Sequence, residues 1–395
     1  MGSEPHHLDL KPIHDRPTLI SFASLSTWSW FVYGFGASLA LLTAEQHTDP
    51  WLAGLHAPAL ALGGVIGAVV TPRLNQRFGR GIMMRVAGIG TALCILWYLI
   101  PGLQVGGTLA AIFVATFFGN IIVVCVNSFI AVHQGPASAP AFTENLALAA
   151  LMGLLAPVAI GAAAATALGW RAGLLIAVIA FVVIEFWRGR TTKEFGGPGE
   201  VPSRKDVGSL PAMTYWALIS GMLYVGAEFC ITLWVGTFLT EQTGLSLAAA
   251  AAGLGAYLGG LFLGRVFGSG LTRHVSSETL LRLSLSIGLC AFMVAWLLSH
   301  PVGVLALLFV TGLGLSLAWP LSLARIMRSA PGNGDRAAAM TLAFTTAAIG
   351  IAPFALGAMA GSVSVHVAFL LVPTMLLVAL LSVLFKRVPD VVPAA

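Results

Sequence analysis

LLAPVAIGA (154–162) and GIAPFALGA (350–358) are near copies, separated by 353 − 157 = 196 residues when their prolines are superposed. ALALGGVIG (59–67) and GAYLGGLFLG (255–264) superpose at the same spacing, with Gly63 on Gly259 and 259 − 63 = 196. One offset at two distant places points to a duplicated chain rather than to chance recurrence of Gly and Ala. The segments beside them agree too, LLTAEQ (41–46) resembling FLTEQ (238–242).

The copied stretches sit in apolar runs of membrane-spanning length. Only 9% of residues are charged, against about a quarter in a soluble domain, so the chain cannot build a water-facing surface. In lipid every backbone polar group must be satisfied internally, and runs of about 20 residues without alternation do this as helices. Twelve spans are expected, at 19–43, 51–71, 83–101, 107–132, 142–166 and 168–187, then at 213–239, 247–270, 279–298, 301–324, 337–361 and 364–385. The polar, Gly/Pro-rich stretch 188–212 divides them six and six. The fold class is therefore all-α integral membrane protein. A tail (1–18), a six-helix bundle (19–187), a linker (188–212), a second bundle (213–386) and a second tail (387–395) make up the chain. An even number of spans per copy makes the copies parallel repeats.

Lys and Arg orient the chain. With the N-terminus cytoplasmic, only Arg171 of the 20 basic residues falls at an outer end, while Arg265 lies within a span near its inner end. Both termini and the linker are thus expected on the cytoplasmic side of an inner membrane. The formal charge of +5 reflects this topology, and no nucleic-acid partner is expected. Cys94, Cys125, Cys230 and Cys290 show neither disulfide nor metal spacing, and the His-containing N-terminal stretch reads as a solvated tail. No Walker motif, nucleophile constellation or cofactor fingerprint occurs, so an enzyme is not expected and no cofactor is assigned.

Twelve helices as 6+6 parallel repeats with a cytoplasmic linker resemble the major facilitator superfamily of transporters. PRLNQRFGRG (72–81) is similar to the family's G-x-L-A-D-R-x-G-R-R loop: Leu74, Arg77, Gly79 and Arg80 match, whereas Pro72, Asn75 and Gln76 depart, Gln76 replacing the usual Asp. The resemblance implies a gating role for Arg77, Gly79 and Arg80. The second-half counterpart, GRVFGSGLTRHVS (264–276), keeps Gly264, Arg265 and Leu271. YVGAE (224–228) followed by Trp234 resembles helix 7 of sugar-type members.

A charge inside a span is costly and usually faces a cavity. Glu228 is the deepest, and Tyr224, Glu228 and Thr232 recur every four residues on one face. Glu228 is the candidate proton-coupling or cation-recognising carboxylate, with helix–helix hydrogen bonding as the alternative. Asn120 and Asn127 share one face of helix 4, a helix that lines the central cavity of the resembled fold. With Tyr33, Trp30, Tyr224, Thr232 and Trp319 they are candidate substrate contacts; interhelical hydrogen bonding or packing would explain them as well. Arg265 and Arg325 lie near enough to the inner surface to snorkel. Glu144 reads as a helix cap, Glu185 with Arg188 as an i,i+3 pair, Arg171 as an outer anchor and His56 as a packing residue.

The expectation is a secondary active transporter, monomeric, moving a small organic solute with protons. That solute is expected to be neutral or cationic, because neither Lys nor Arg falls in the middle of a span. The alternatives are a proton-driven drug or metabolite efflux antiporter, since MGLLAPVAIG (152–161) partly resembles an antiporter motif, and a non-transporting sensor or scaffold.

Overall fold

The computed structural model describes residues 11–190, 192–197, 209–268, 271, 275–331 and 333–386. Helices α1 to α6 are Arg16–Gln46, Pro50–Phe78, Arg80–Tyr98, Val105–His133, Ser138–Ala164 and Arg171–Arg188. Helices α7 to α12 are Ala212–Thr243, Leu247–Gly268, Ser277–Leu297, Pro301–Arg328, Gly334–Ala360 and Val365–Phe385. Eleven are long and apolar enough to cross a membrane by composition alone. The other, α6, carries Arg171, Glu185 and Arg188 within 18 residues, and each of these charges is paired in place.

Local chemistry sets the ends. Asp15 caps α1 by accepting from the Thr18 N–H at 3.1 Å, with Pro17 in the first turn. Ser276 caps α9 in the same way through Thr279 N–H. Gly244, at φ 68°, closes α7 in the left-handed region. Gly79, at φ 83°, makes the tight turn from α2 to α3.

Both halves are built on one close helix crossing. In α2, a Cβ on Gly63 or Gly67 would lie 2.0 or 2.2 Å from the carbonyl oxygens of Phe113 and Phe117 in α4. In α8, a Cβ on Gly260 would lie 2.0 Å from the Phe309 oxygen, and one on Gly264 would lie 2.8 Å from the Leu313 oxygen, both in α10. Each pair is a Gly-x-x-x-Gly, which lets two backbones touch where lipid supplies no hydrophobic drive. The contact register corrects the sequence alignment by one residue. Gly63 corresponds to Gly260 (260 − 63 = 197) while Phe113 corresponds to Phe309 (309 − 113 = 196). The second half carries one extra residue before its glycine pair.

The halves meet through α1 with α7, α2 with α11, and α5 with α8. These contacts concentrate away from the arginine-rich end. Gly36 touches Thr232, Gly54 touches Gly357, and Gly161 touches Ala248 and Ala252. Towards the arginine-rich end, α2 and α11 part around a cleft of about 650 Å³ lined by Ala68, Pro72, Arg73, Gln76, Ala339 and Leu342. We call these the closed end and the basic end.

Buried charges brace the basic end. Glu185 takes Arg188 at 3.0 Å and Arg85 at 3.1 Å, confirming the i,i+3 pair and adding a partner from α3. Arg325 does not snorkel. It is fully buried, 3.0 Å from Glu278 and 3.2 Å from Ser220 Oγ, and donates to the Lys386 carbonyl. Glu144 pairs with His14 at 2.7 Å instead of capping its own helix, since α5 begins six residues earlier, at Ser138. At the closed end Arg171 grips Glu45 through both oxygens, at 2.7 and 2.8 Å, the anchor expected of it. His56 is a packing residue, held by the Ala53 carbonyl at 2.9 Å and Thr108 Oγ1 at 3.0 Å.

Candidate functional site

Glu228 lies at the centre of α7, 228 − 212 = 16 residues from its start, about 24 Å along the axis at ~1.5 Å per residue. Only 7% of the residue is exposed. Four polar side chains from three helices lie within electrostatic reach of its carboxylate: Tyr224 one turn before it, Tyr33 from α1, and Tyr257 and Arg265 from α8. The hydroxyls of Tyr224 and Tyr257 are buried; that of Tyr257 has no hydrogen-bond partner among the described residues, and that of Tyr224 lies towards the Glu228 carboxylate. The ring of Tyr33 lies on Gly153 of α5, where a Cβ would sit 2.6 Å from it. One cluster therefore joins α1 and α5 of the first half to α7 and α8 of the second.

Arg265 is where the structure departs most from the sequence reading. Rather than reaching for the membrane surface, its guanidinium turns inward, and Nε donates to the Ser316 carbonyl at 3.4 Å. That carbonyl is available because α10 is broken between Leu315 and Ala318. Its regular donor would be the N–H of residue 320, which is a proline. A broken membrane helix whose open backbone faces a polar cluster is the arrangement in which irregular structure is tolerated at this depth. No direct ion pair joins Arg265 to Glu228 among the described residues, so the two charges sense each other across a gap. The ground for expecting a neutral or cationic solute, spans empty of central cations, no longer holds.

Of the seven residues expected to contact substrate, Tyr33 and Tyr224 join Glu228. Trp30 donates its indole N–H to the Gly173 carbonyl of α6 at 2.9 Å. Thr232 bonds back to the Glu228 carbonyl at 2.8 Å and packs where Gly36 crosses α7. Asn120 rests on Gly64 of α2 and donates to the Thr116 carbonyl at 3.1 Å, whereas Asn127 is exposed. Trp319 is half-buried just past the break in α10. Tyr257 and Arg265 were missed. The available signal was an arginine in a span with no acidic residue a turn away, beside a proline in the neighbouring helix of the same half.

In the last turn of α2, Arg77 is exposed with its guanidinium 5.2 Å from the ring centre of Phe78. Arg80 donates to the Ser128 carbonyl of α4 at 2.7 Å, and Gly196 lies against its guanidinium. Arg80 and Gly79 thus bind α2, α3, α4 and the first linker residues into one block, with Phe195 buried beneath Arg188. The antiporter-like stretch of α5 serves packing: Gly161 and Val158 meet α8 at Ala252 and Gly255.

Comparison with known proteins places this architecture. The model of the Major Facilitator Superfamily matches residues 19–334, and the chain belongs to that family. No curated protein matches the sequence. Among solved structures, a bacterial homolog to the human lysosomal transporter Spinster, inward-facing and occupied, aligns at TM-score 0.69 and 14% identity over 100% of both chains. A peptide transporter, POT, in complex with sulfate aligns at TM-score 0.76 and 13% identity over 94% of each chain. The nucleoside transporter NupG aligns at TM-score 0.70 and 12% identity, covering 94% of this chain and 99% of that one. At these identities the likeness is one of fold alone; membership of the Major Facilitator Superfamily is what points to a secondary transporter.

Proposed function

We propose that the chain is a proton-coupled secondary transporter of a small organic solute, working by alternating access, with Glu228 as the coupling carboxylate. Glu228 itself carries the reading: it is a buried acid at mid-helix, on the seam between the halves, beside three tyrosines and in no direct ion pair among the described residues. An ionisable side chain at mid-span usually faces a polar pathway and serves it, as carboxylates in proton relays do. The halves are closed at one end and part at the other, as one of two alternating states requires. With the arginine-rich end facing the cytoplasm of an inner membrane, both termini lie inside and this is the inward-facing state. The paired halves form the whole pathway within one chain, which acts as a monomer.

The test is uptake of a solute panel by proteoliposomes under an imposed pH gradient. Wild type should accumulate its solute. Glu228→Gln, which mimics the protonated acid at nearly constant volume, should exchange solute but not accumulate it. Gradient-driven accumulation by Glu228→Gln equal to wild type would overturn the proposal.

A further inference from the structure

Arg265 and the unpartnered Tyr257 hydroxyl define what the site can hold. A guanidinium keeps its charge at any working pH and presents planar N–H donors that match a carboxylate. Among the described residues its hydrogen bonding is a single long bond, 3.4 Å to Ser316 O, which leaves donor capacity for a ligand. Tyr257 adds a buried O–H group without an acceptor among the described residues, costly to leave unmade, and Tyr224 adds one whose acceptor is Glu228. The Arg265 guanidinium and the Tyr257 hydroxyl are thus donors left unfilled beside the Glu228 carboxylate, which already takes Tyr224. A carboxylate ligand, with about four lone-pair sites on two oxygens, satisfies that surplus. Extending the proton-coupled reading above, we infer that the solute is a small organic monocarboxylate, bound by Arg265 and Tyr257, and that it binds together with a proton on Glu228.

The charge count sets the coupling. With Glu228 ionised, Arg265 is already balanced and an incoming anion meets a neighbouring negative charge. With Glu228 protonated, the positive charge of Arg265 is uncompensated and the acid becomes a further donor. Proton and carboxylate therefore raise each other's affinity by the same factor. Every other element packed on α7 is silent at this depth: 301–324, 337–361 and 367–385 contain no titratable residue, and α1 contributes only Tyr33. A dianion such as sulfate or hydrogen phosphate exceeds the single positive charge available, so a monoanion fits better.

The experiment measures binding to the purified full-length protein by thermal shift. The probes are aliphatic, hydroxy- and aromatic monocarboxylates, each beside its primary amide, as with lactate and lactamide or benzoate and benzamide. Wild type should bind at least one carboxylate about tenfold or more tighter than its amide, and that affinity should fall as pH rises. In Glu228→Gln that affinity should be independent of pH. Arg265→Gln should lose the preference for acid over amide, and Arg265→Lys, which keeps the charge should the Gln variant fold poorly, should retain part of it. Equal binding of acids and amides, no binding of any carboxylate, or a preference that survives Arg265→Gln overturns the inference. If amides bind as well as acids while Glu228→Gln still abolishes gradient-driven accumulation, the carboxylate assignment fails alone and proton coupling stands.

Discussion

A wedge at the closed end should drive the protein towards its other state. Gly36 crosses α7 so closely that a Cβ there would lie 2.6 Å from the Thr232 carbonyl oxygen and 2.9 Å from its Cγ2. The oxygen belongs to the backbone and cannot rotate away, so Gly36→Val must push α1 and α7 apart by about 1 Å to regain an ordinary contact near ~3.5 Å. Overpacking of this kind costs about 1–3 kcal/mol. The penalty falls only on the state in which this end is closed, so the ratio of the two states should shift by about 5- to 150-fold towards opening. Spin labels at Ala44 and Ser246 report the closed end, and labels at Gln76 and Leu342 span the basic-end cleft, once the exposed Cys290 has been replaced. The first distance should lengthen and the second shorten. Unchanged distances in a variant of normal thermal stability would show that the α1–α7 contact does not hold the closed end shut.

Three further outcomes follow from the contacts. Glu278→Gln leaves the buried Arg325 uncompensated and should cost about 3–5 kcal/mol in thermal unfolding, whereas Glu45→Gln, at a more exposed pair, should cost about 1 kcal/mol or less. Pro320→Ala restores an N–H for the Ser316 carbonyl and takes away the acceptor of Arg265, so melting temperature should rise while transport falls; loss of stability would refute this account of the helix break. Burial opposes ionisation of Asp15, but hydrogen bonds from Thr18 and His133 outweigh it and hold its carboxyl below the usual value of 3.8. Its contribution to anchoring the start of α1 is therefore present above that value and lost as pH falls through the lower folded value. Proteolysis of the first residues should accelerate only in that acid range, and Asp15→Asn should remove the transition.

The sequence exposes the fold because lipid makes its rules severe. Runs without charge must be helices, arginines must stay on one side, and a repeated glycine pair marks a repeated crossing, so twelve helices in two copies can be read directly. Glu228 and Tyr224 are legible for the same reason, a charge at mid-span with a tyrosine one turn away. Arg265 is not. By residue count it lies three from the end of its helix, where an arginine ordinarily snorkels, and only the carbonyl freed by Pro320 on a different helix turns it inward. Asn120 and Trp30 show a different limit. Their helices and faces are right, but their partners, Gly64 and the Gly173 carbonyl, are set by helix rotation, which periodicity does not fix.

The central claim is that solute and proton move together through Glu228. It is tested most directly by trapping a pH-sensitive dye in proteoliposomes, adding the transported solute with no initial pH gradient, and following the lumenal pH. Wild type should carry protons inward with the solute and acidify the lumen, while Glu228→Gln should exchange labelled solute across the same membrane without any change in lumenal pH. Equal solute-dependent acidification in both proteins would contradict the account.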